Sequence, residues 1–161
     1  KIELQEHIRP THEIDLIELI DYVIKTYEKI ISKNNISIKF NKIDNFKIIG
    51  DRDKLIEIFT NLIDNSIKYS DKNKEITITA KKDGEYNTVS VADQGIGIPK
   101  ESIHRITERF FTVDPSKSRS VGGTGLGLAI VKHLVSQHRA EMDINSIENK
   151  GTTIDIKFNP L

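Results

Sequence analysis

Two glycine-rich loops interrupt an otherwise periodic chain, and no other feature of the sequence limits its folding as strongly. Five of the nine glycines lie between residues 95 and 125, together with Pro99 and Pro115. An irregular segment of this length is uncommon inside a compact domain and is usually functional. Residues 94–124 are therefore the first place to expect a site.

The regular elements around these loops predict the fold class. Apolar periodicity predicts three helices, over residues 15–33, 52–69 and 126–138. Alternating or short apolar runs predict strands over residues 36–40, 47–50, 75–82, 87–93, 141–147 and 152–158. The resulting order, αββαββ–loop–αββ, predicts an α+β two-layer sandwich with the helices on one face of a mixed, mostly antiparallel sheet.

Composition excludes several functional classes. The chain of 161 residues has a length typical of one domain, and its 24 basic and 24 acidic residues argue against an electrostatic nucleic-acid binder. The absence of cysteine excludes disulfides, thiolate zinc sites and cysteine nucleophiles. No apolar run approaches the roughly 20 residues that span a bilayer, so we expect a soluble domain. Residues 1–13 contain Pro10 and are predicted to be a linker, and the initial Lys1 suggests a piece of a longer protein.

The second predicted helix carries a polar strip opposite its apolar face. Glu57, Asn61, Asn65 and Lys68 follow one another at helical spacing. A solvated surface would explain the charged residues. Asparagine, however, is a poor residue inside a helix, and here it occurs twice. Amide oxygens beside an ammonium group are suited to Mg²⁺ and phosphate.

The first glycine loop follows a predicted strand and reads D-x-G-x-G-x-P from Asp93 to Pro99. A carboxylate at the end of a strand can accept a hydrogen bond from an exocyclic amine. Glycines at 95 and 97 would let a flat ring approach the backbone closely. An ordinary turn with an Asp cap is the alternative, and it does not account for two glycines and a proline in seven residues.

The second glycine loop leads directly into a predicted helix. Its glycines lie at positions 122, 123, 125 and 127. Free N–H groups at a helix N-terminus form an anion site, whereas a flexible hinge would not need glycines in the first turn. Neither loop matches the Walker A or the G-x-G-x-x-G template, so any phosphate site here is of another kind.

Together these motifs resemble the ATP-binding catalytic domain of bacterial sensor histidine kinases. NLIDNSIKYS is similar to the N box of that family, DQGIGIP to its G1 box, RFFTVD to its F box and GGTGLGLAIVKH to its G2 box. GTTIDIKF resembles the closing G3 strand, and the resemblance covers residues 14–158. It implies the Bergerat-type fold of gyrase and chaperone ATPases, with a catalytic domain over 14–161 and a mobile lid over about 100–124.

The resemblance also implies roles for individual residues. Asn65 would be the main Mg²⁺ ligand with Asn61 assisting, and both would act with Lys68 in catalysis. Lys68 would reach the phosphates, and Asp93 would bind the adenine amine. The other implied nucleotide-binding residues are Tyr69, Gly95, Gly97, Ile98, Phe110, Gly123, Thr124, Gly125, Leu126, Gly127 and Thr152.

Two positions depart from the family pattern in the F box. Thr107 stands where a Phe is common, which would weaken the packing of the lid. Thr112 replaces an Arg that relatives place near the γ-phosphate. Arg109, Lys117 and Arg119 are the cations that could substitute for it, and the sequence does not choose among them.

The implied activity is transfer of the γ-phosphoryl group of Mg-ATP to a histidine on a separate dimerisation domain of the same protein, with ADP as product. The other implied partner is a response regulator, and the parent protein would be anchored in the inner membrane with this domain in the cytoplasm. We expect the isolated chain to be monomeric, not to bind nucleic acid and not to phosphorylate itself.

Two other functions stay open on the sequence alone. An ATPase of the same superfamily, or a serine kinase of the anti-sigma type, would usually carry a catalytic Glu where this chain has Asn61. A degenerate domain could instead bind a partner without nucleotide, although both glycine loops and both asparagines are retained.

Overall fold

The computed structural model describes residues 12–70, 73–113 and 126–161. The elements in chain order are β1 (His12–Asp15), α1 (Leu16–Thr26), α2 (Glu28–Lys33), β2 (Ser37–Asn41), β3 (Lys47–Gly50), α3 (Arg52–Tyr69), β4 (Glu75–Asp83), β5 (Tyr86–Ala92), a 3-10 helix (Lys100–Arg105), α4 (Gly127–Gln137), β6 (Glu141–Ile147) and β7 (Gly151–Phe158).

Five of these strands form one sheet in the order β2-β4-β5-β7-β6. Strand β2 pairs with β4 in parallel, and every other neighbouring pair in this sheet is antiparallel. The buried side chains of β4 and β7 alternate with exposed or half-buried ones, as expected for strands with one face against a core, whereas β5 buries three residues in succession, Asn87, Thr88 and Val89. The predicted α+β sandwich with a mixed, mostly antiparallel sheet is confirmed.

Helix α3 lies at the centre of the helical layer and has the predicted bounds. The Asp51 carboxylate caps its N-terminus by accepting the Lys54 N–H at 3.1 Å. Its predicted apolar face is buried, and the Phe59 ring lies 6.4 Å from the ring of Phe158 on β7. The polar strip on the other side of the helix is thereby directed away from the core.

The first predicted helix is divided in two. The Val23 carbonyl accepts the Thr26 hydroxyl at 2.6 Å, and the Tyr27 N–H turns instead to Ile24 O at 3.0 Å. A side chain that bonds to the backbone in this way competes with the helical ladder. Helix α1 therefore ends at Thr26 and α2 begins at Glu28, where the periodicity predicted one helix from 15 to 33.

Two further differences lie at the ends of the predicted segments. His12 and Glu13, assigned to the linker, belong to β1, which pairs antiparallel with β3 in a separate two-stranded sheet. The sequence of β1, HEID, contains one apolar residue and no buried position, so it lacks the apolar run that predicted the equally short β3. The segment predicted to be irregular contains the 3-10 helix, which occupies the start of the predicted lid.

Candidate functional site

A cavity of about 300 Å³ opens between α3, the loop that follows β5, the N-terminus of α4 and the start of β7. Its walls bring together motifs that are up to 91 residues apart in the chain. Ten residues predicted from the sequence line it, namely Asn61, Asn65, Lys68, Tyr69, Asp93, Gly97, Ile98, Leu126, Gly127 and Thr152.

The remaining predicted residues divide into two groups. Gly95 and Phe110 are described and do not line the cavity. Gly123, Thr124 and Gly125 lie outside the described residues, as do Lys117, Arg119 and the second part of the predicted lid, from residue 114 onward.

Asp93, just after β5, is held in one orientation by the backbone around it. Its Oδ1 accepts the N–H of Gly95 at 3.0 Å and the N–H of Thr152 at 3.1 Å. The Asp93 N–H donates to Thr152 O at 2.8 Å, which locks the end of β5 to β7. Burial raises the pKa of the Asp93 carboxyl above 3.8, and the hydrogen bonds from Gly95, Thr152 and Ser66 oppose this rise. The result is a buried acceptor whose position is set before any ligand arrives.

The Thr152 hydroxyl belongs to a short hydrogen-bonded chain beside Asp93. Ser146 Oγ accepts the Ile98 N–H at 2.7 Å and donates to Gly151 O at 3.0 Å. With its one proton used in this way, Ser146 accepts at 2.8 Å from the Thr152 hydroxyl. This chain uses the Thr152 proton and leaves the lone pairs of Oγ1, so Thr152, which lines the cavity, supplies a second acceptor group to this wall.

The loop after β5 packs so closely that two positions admit no side chain. A Cβ on Gly95 would lie 2.2 Å from the Tyr69 carbonyl oxygen at the end of α3. Gly97 has φ +69, and a Cβ there would lie 2.2 Å from the carbonyl oxygen of Ile147. These contacts join the loop to α3 on one side and to the β6–β7 turn on the other. Gly95 therefore packs against the end of α3 and does not itself line the cavity.

At the other end of the cavity, α3 presents its polar strip. Asn61 Nδ2 donates to Glu57 O at 2.9 Å, so the amide oxygen is directed away from its own helix. That oxygen lies toward Gly127, where a Cβ would be 3.4 Å from it. Amide oxygens are hard ligands of the type that Mg²⁺ takes, usually together with water and substrate phosphates. The residues at this end therefore fit the predicted metal.

The N-terminus of α4 faces the same end of the cavity through Leu126, Gly127 and Leu128. Leu126, the N-cap residue, makes no side-chain cap hydrogen bond. The first N–H groups of a helix have no partner within it, and the helix dipole favours an anion there. This end of the cavity thus combines oxygen ligands for a cation with donors for an anion.

The sequence analysis missed one charged residue of the site, Asp64. Its carboxylate lines the cavity, and Oδ2 lies 2.9 Å from Lys68 Nζ. The available signal was its spacing, because Asp64 is three residues after Asn61 and four before Lys68 on one helix. Both side chains are about one-third exposed, so the ion pair contributes little to stability.

Of the two adjacent phenylalanines in the F box, Phe111 is the one that lines the cavity. Phe110 has φ +64, which turns the chain and leaves its ring 72% exposed. Phe111 and Thr112 line the cavity instead, and the Arg105 guanidinium lies 4.6 Å from the centre of the Phe111 ring. Thr112 thus stands at the wall where the family pattern has Arg.

The sequence analysis also did not identify most of the apolar residues that line the cavity. The apolar part of the wall consists of Ile96, Ile106, Val113, Leu128, Ile130 and Ile154, together with Ile98. Aliphatic residues in a glycine loop or an amphipathic helix cannot be distinguished from ordinary core by pattern alone. In the same cavity as Asp93, they provide an apolar surface against which a flat ring can lie.

Within the described ranges, no group of three His, Asp or Glu side chains could hold a metal ion. Over the same residues, no helix combines the length and the apolar character needed to cross a membrane. A cation in the cavity would therefore depend on the α3 amides and on ligand oxygens.

Comparison with known families identifies the region that contains the site. Residues 50–161 match the family described as "Histidine kinase-, DNA gyrase B-, and HSP90-like ATPase". This range contains α3, both glycine loops and β7.

Curated relatives are named as sensor kinases. The chain is 31% identical to the sensor-like histidine kinase SenX3 of Mycolicibacterium smegmatis, over 98% of this chain and 41% of that protein. It is 43% identical to the sensor histidine kinase WalK of Bacillus subtilis, over 65% of this chain and 17% of that one. The phosphate regulon sensor protein PhoR of Pseudomonas aeruginosa is also 43% identical, over 69% of this chain and 25% of that protein. The chain thus spans less than half the length of these relatives.

Solved structures agree over most of the chain. The nucleotide-free catalytic domain of histidine kinase ThkA superposes with a TM-score of 0.80 at 29% identity, covering 92% of this chain and 94% of that one. The mycobacterial sensor histidine kinase MprB superposes with a TM-score of 0.76 at 27% identity, covering 94% of this chain and 99% of that one.

Proposed function

Since the chain belongs to the histidine kinase-, DNA gyrase B- and HSP90-like ATPase family and has the fold of a histidine kinase catalytic domain, we propose that it binds Mg-ATP in the cavity and donates the γ-phosphoryl group to a histidine on a separate dimerisation domain. The observation that carries the proposal is the polarity of the cavity. The wall joins a fixed carboxylate, just after β5, to the amide oxygens and the ammonium group of α3 and to the N-terminus of α4.

The adenine ring would occupy the apolar end. Asp93 and Thr152 offer the acceptors that an exocyclic amine requires, and the aliphatic wall would cover the faces of the ring. A keto group at the same place would meet acceptors only and would leave buried lone pairs unpaired, at a cost of about 1–3 kcal/mol. We therefore propose selectivity for adenine over guanine nucleotides. Tyr69 lines the cavity beside this end and would lie against the nucleotide.

The triphosphate would occupy the polar end. We assign Asn65 and Asn61 as the residues that hold Mg²⁺, Lys68 as the cation that reaches the phosphates, and the N–H groups around Leu126 and Gly127 as donors. Bound Mg²⁺ neutralises the charge that develops on the phosphates during transfer. Gly123, Thr124 and Gly125, which lie outside the described residues, are proposed as further phosphate-binding residues on the resemblance alone.

Transfer is proposed rather than hydrolysis because of Asn61. A hydrolase needs a base that activates water, and the superfamily members that hydrolyse ATP usually carry Glu at this position. The Asn61 amide is not basic, and its nitrogen is already bonded to Glu57 O. The acidic residue that lines the same end, Asp64, is paired with Lys68.

The proposal extends to partners outside this chain. The acceptor would be a histidine on a dimerisation domain of the same protein, and a response regulator would receive the phosphoryl group afterwards. The parent would be anchored in the bacterial inner membrane, with this domain monomeric in the cytoplasm. The described histidine most enclosed by the fold, His138, is committed to hydrogen bonds with Asp51 and Leu134 and is not a candidate acceptor.

Calorimetric titration tests the binding step. The chain is titrated with a non-hydrolysable ATP analogue in Mg²⁺ and in EDTA, and with the GTP analogue as control. Mg²⁺-dependent binding with preference for adenine is expected, and absence of binding under every condition would overturn the proposal. Transfer is tested by adding radiolabelled ATP and the separately produced histidine domain of the parent. Acid-labile label on that domain is the expected result, and label released only as free phosphate would favour hydrolysis.

A further inference from the structure

Asp64 places a negative charge where the polyanionic part of the nucleotide would lie. It is on the cavity side of α3, directly before Asn65 and one turn from Asn61. Among the described residues of the lining, the charged side chains are Asp64, Lys68 and Asp93. The formal charge of this described wall is therefore negative by one, which is unfavourable for a triphosphate.

We propose that Asp64 is a specificity residue that makes nucleotide binding depend on a divalent cation, so that the cavity accepts the metal complex of ATP and rejects the free polyanion. The inference rests on the proposed function, because it assigns the triphosphate to the α3 end of the cavity. Asp64 acts in two ways. Its charge repels phosphate oxygens that no metal ion neutralises, and it pairs with the Lys68 ammonium group, which would otherwise attract them.

The pairing with Lys68 supports this role. A Lys68 Nζ that lies 2.9 Å from the Asp64 carboxylate presents little net positive charge to an incoming phosphate. The pair is partly exposed and therefore weak, so a nucleotide that brings its own cation can separate it at low cost. Divalent cations take carboxylate and amide oxygens together, and Asp64 lies among the amides of α3.

Tyr27, the residue between α1 and α2, is a neighbour of Asp64. The Tyr27 hydroxyl donates to the Thr60 carbonyl oxygen at 3.4 Å, one helical turn before Asp64. Burial is the main cause that raises the pKa of Tyr27 to about 12, and the charge of Asp64 adds to it. The phenol stays neutral over the physiological pH range, so Tyr27 adds no charge next to Asp64.

The size of the effect follows from Coulomb's law. Removing one unit charge several ångströms from the phosphates, at an effective dielectric constant between that of a protein surface and water, changes affinity by about three- to tenfold. The metal complex carries less negative charge and loses a favourable contact when Asp64 is removed. Its affinity should therefore change less than about twofold.

The test uses the whole chain and three variants. Asp64→Asn removes the charge and keeps the shape. Asp53→Asn is the matched control, because it removes an exposed carboxylate from the same helix about 16 Å away along the axis, beyond the Debye length. Tyr27→Phe removes a hydroxyl next to Asp64 and leaves the Asp64 charge in place, so it separates the effect of charge from that of local packing. Affinities for the ATP analogue in EDTA and in Mg²⁺, and for adenosine, are measured by calorimetry.

We expect Asp64→Asn to bind the analogue about three- to tenfold more tightly in EDTA, with adenosine unchanged and the ratio of Mg²⁺ to EDTA affinities reduced in proportion. Asp53→Asn and Tyr27→Phe should keep the wild-type ratio. An unchanged or weaker affinity of Asp64→Asn in EDTA would overturn the inference, as would an equal effect of Tyr27→Phe. Failure of the wild-type chain to bind Mg-ATP would instead refute the proposed function, so the two failures are distinguishable.

Discussion

The close packing of the loop after β5 predicts a large difference between two glycine-to-alanine substitutions. Gly97 and Gly84 share a left-handed backbone, with φ +69 and +58. They differ in their surroundings. A Cβ on Gly97 would lie 2.2 Å from Ile147 O, whereas a Cβ on Gly84 would meet nothing within 4 Å. Gly84→Ala therefore measures the backbone effect alone, and Gly97→Ala measures the same effect together with the steric overlap.

The structure allows both magnitudes to be estimated. Holding alanine in the left-handed region costs about 1–2 kcal/mol at either site. Relieving the overlap at Gly97 requires a shift of the backbone and adds about 1–3 kcal/mol, as in overpacked cores. The excess of Gly97→Ala over Gly84→Ala is therefore about 2 kcal/mol. For a chain of this length that difference corresponds to about 4–8 °C in Tm.

Urea unfolding gives the free energy of unfolding of each variant, and calorimetry gives its affinity for the ATP analogue. Gly97→Ala should lose affinity as well as stability, because Gly97 lines the cavity. Gly84→Ala, in the β4–β5 turn, should bind like the wild type. Equal stability losses in the two variants would refute the reasoning that the approach to Ile147 constrains this loop.

Three further predictions concern the site and its supports. Asn65→Ala should reduce the affinity for Mg-ATP toward the value in EDTA, because an amide ligand is lost; an unchanged calorimetric affinity for Mg-ATP would contradict this. Asp93→Asn should weaken ATP binding by about 10–100-fold, the effect of losing a charged acceptor, with a smaller change for GTP; equal losses for both nucleotides would count against the adenine assignment. Burial lowers the pKa of His138 below 6.5, while Nε2 accepts the Asp51 N–H at 3.1 Å. The unfolded chain therefore binds this proton more tightly than the folded chain, and the free energy of unfolding should decrease as pH falls through 6.5. When the free energy of unfolding is measured with urea between about pH 5 and 8, His138→Gln should make this decrease smaller. A parallel decline in the variant would exclude His138 as the cause.

Helix α3 shows which features of the site can be predicted from a short stretch of sequence. Its bounds, its buried face and its polar strip all follow from a repeat of 3.6 residues, which needs no knowledge of the rest of the fold. The N cap at Asp51 is equally local. The same periodicity puts Asp64 at helical spacing from Asn61 and Lys68, but its place in the cavity wall also depends on the loops that pack against α3.

The first helix and the F box show where local pattern failed. The apolar periodicity continues through Tyr27, but the Thr26 hydroxyl occupies the carbonyl that would have continued the helix. In the F box, two adjacent phenylalanines have the same chemistry, and a positive φ at Phe110 decides that Phe111 is the one that lines the cavity. Backbone conformation at a single residue is not encoded by hydrophobic pattern.

The sequence by itself determined the α+β class, most of the elements and the two ends of the site, because periodicity and the spacing of glycine, asparagine and aspartate are local properties. Tertiary structure alone decided which of these side chains meet. Asp93 becomes a fixed acceptor only when β7 brings the Thr152 N–H to it, and Asp64 becomes a charge in the cavity only when α3 packs beneath the loops. Contacts between residues dozens of positions apart depend on the packing of the whole chain, which no short window of sequence contains.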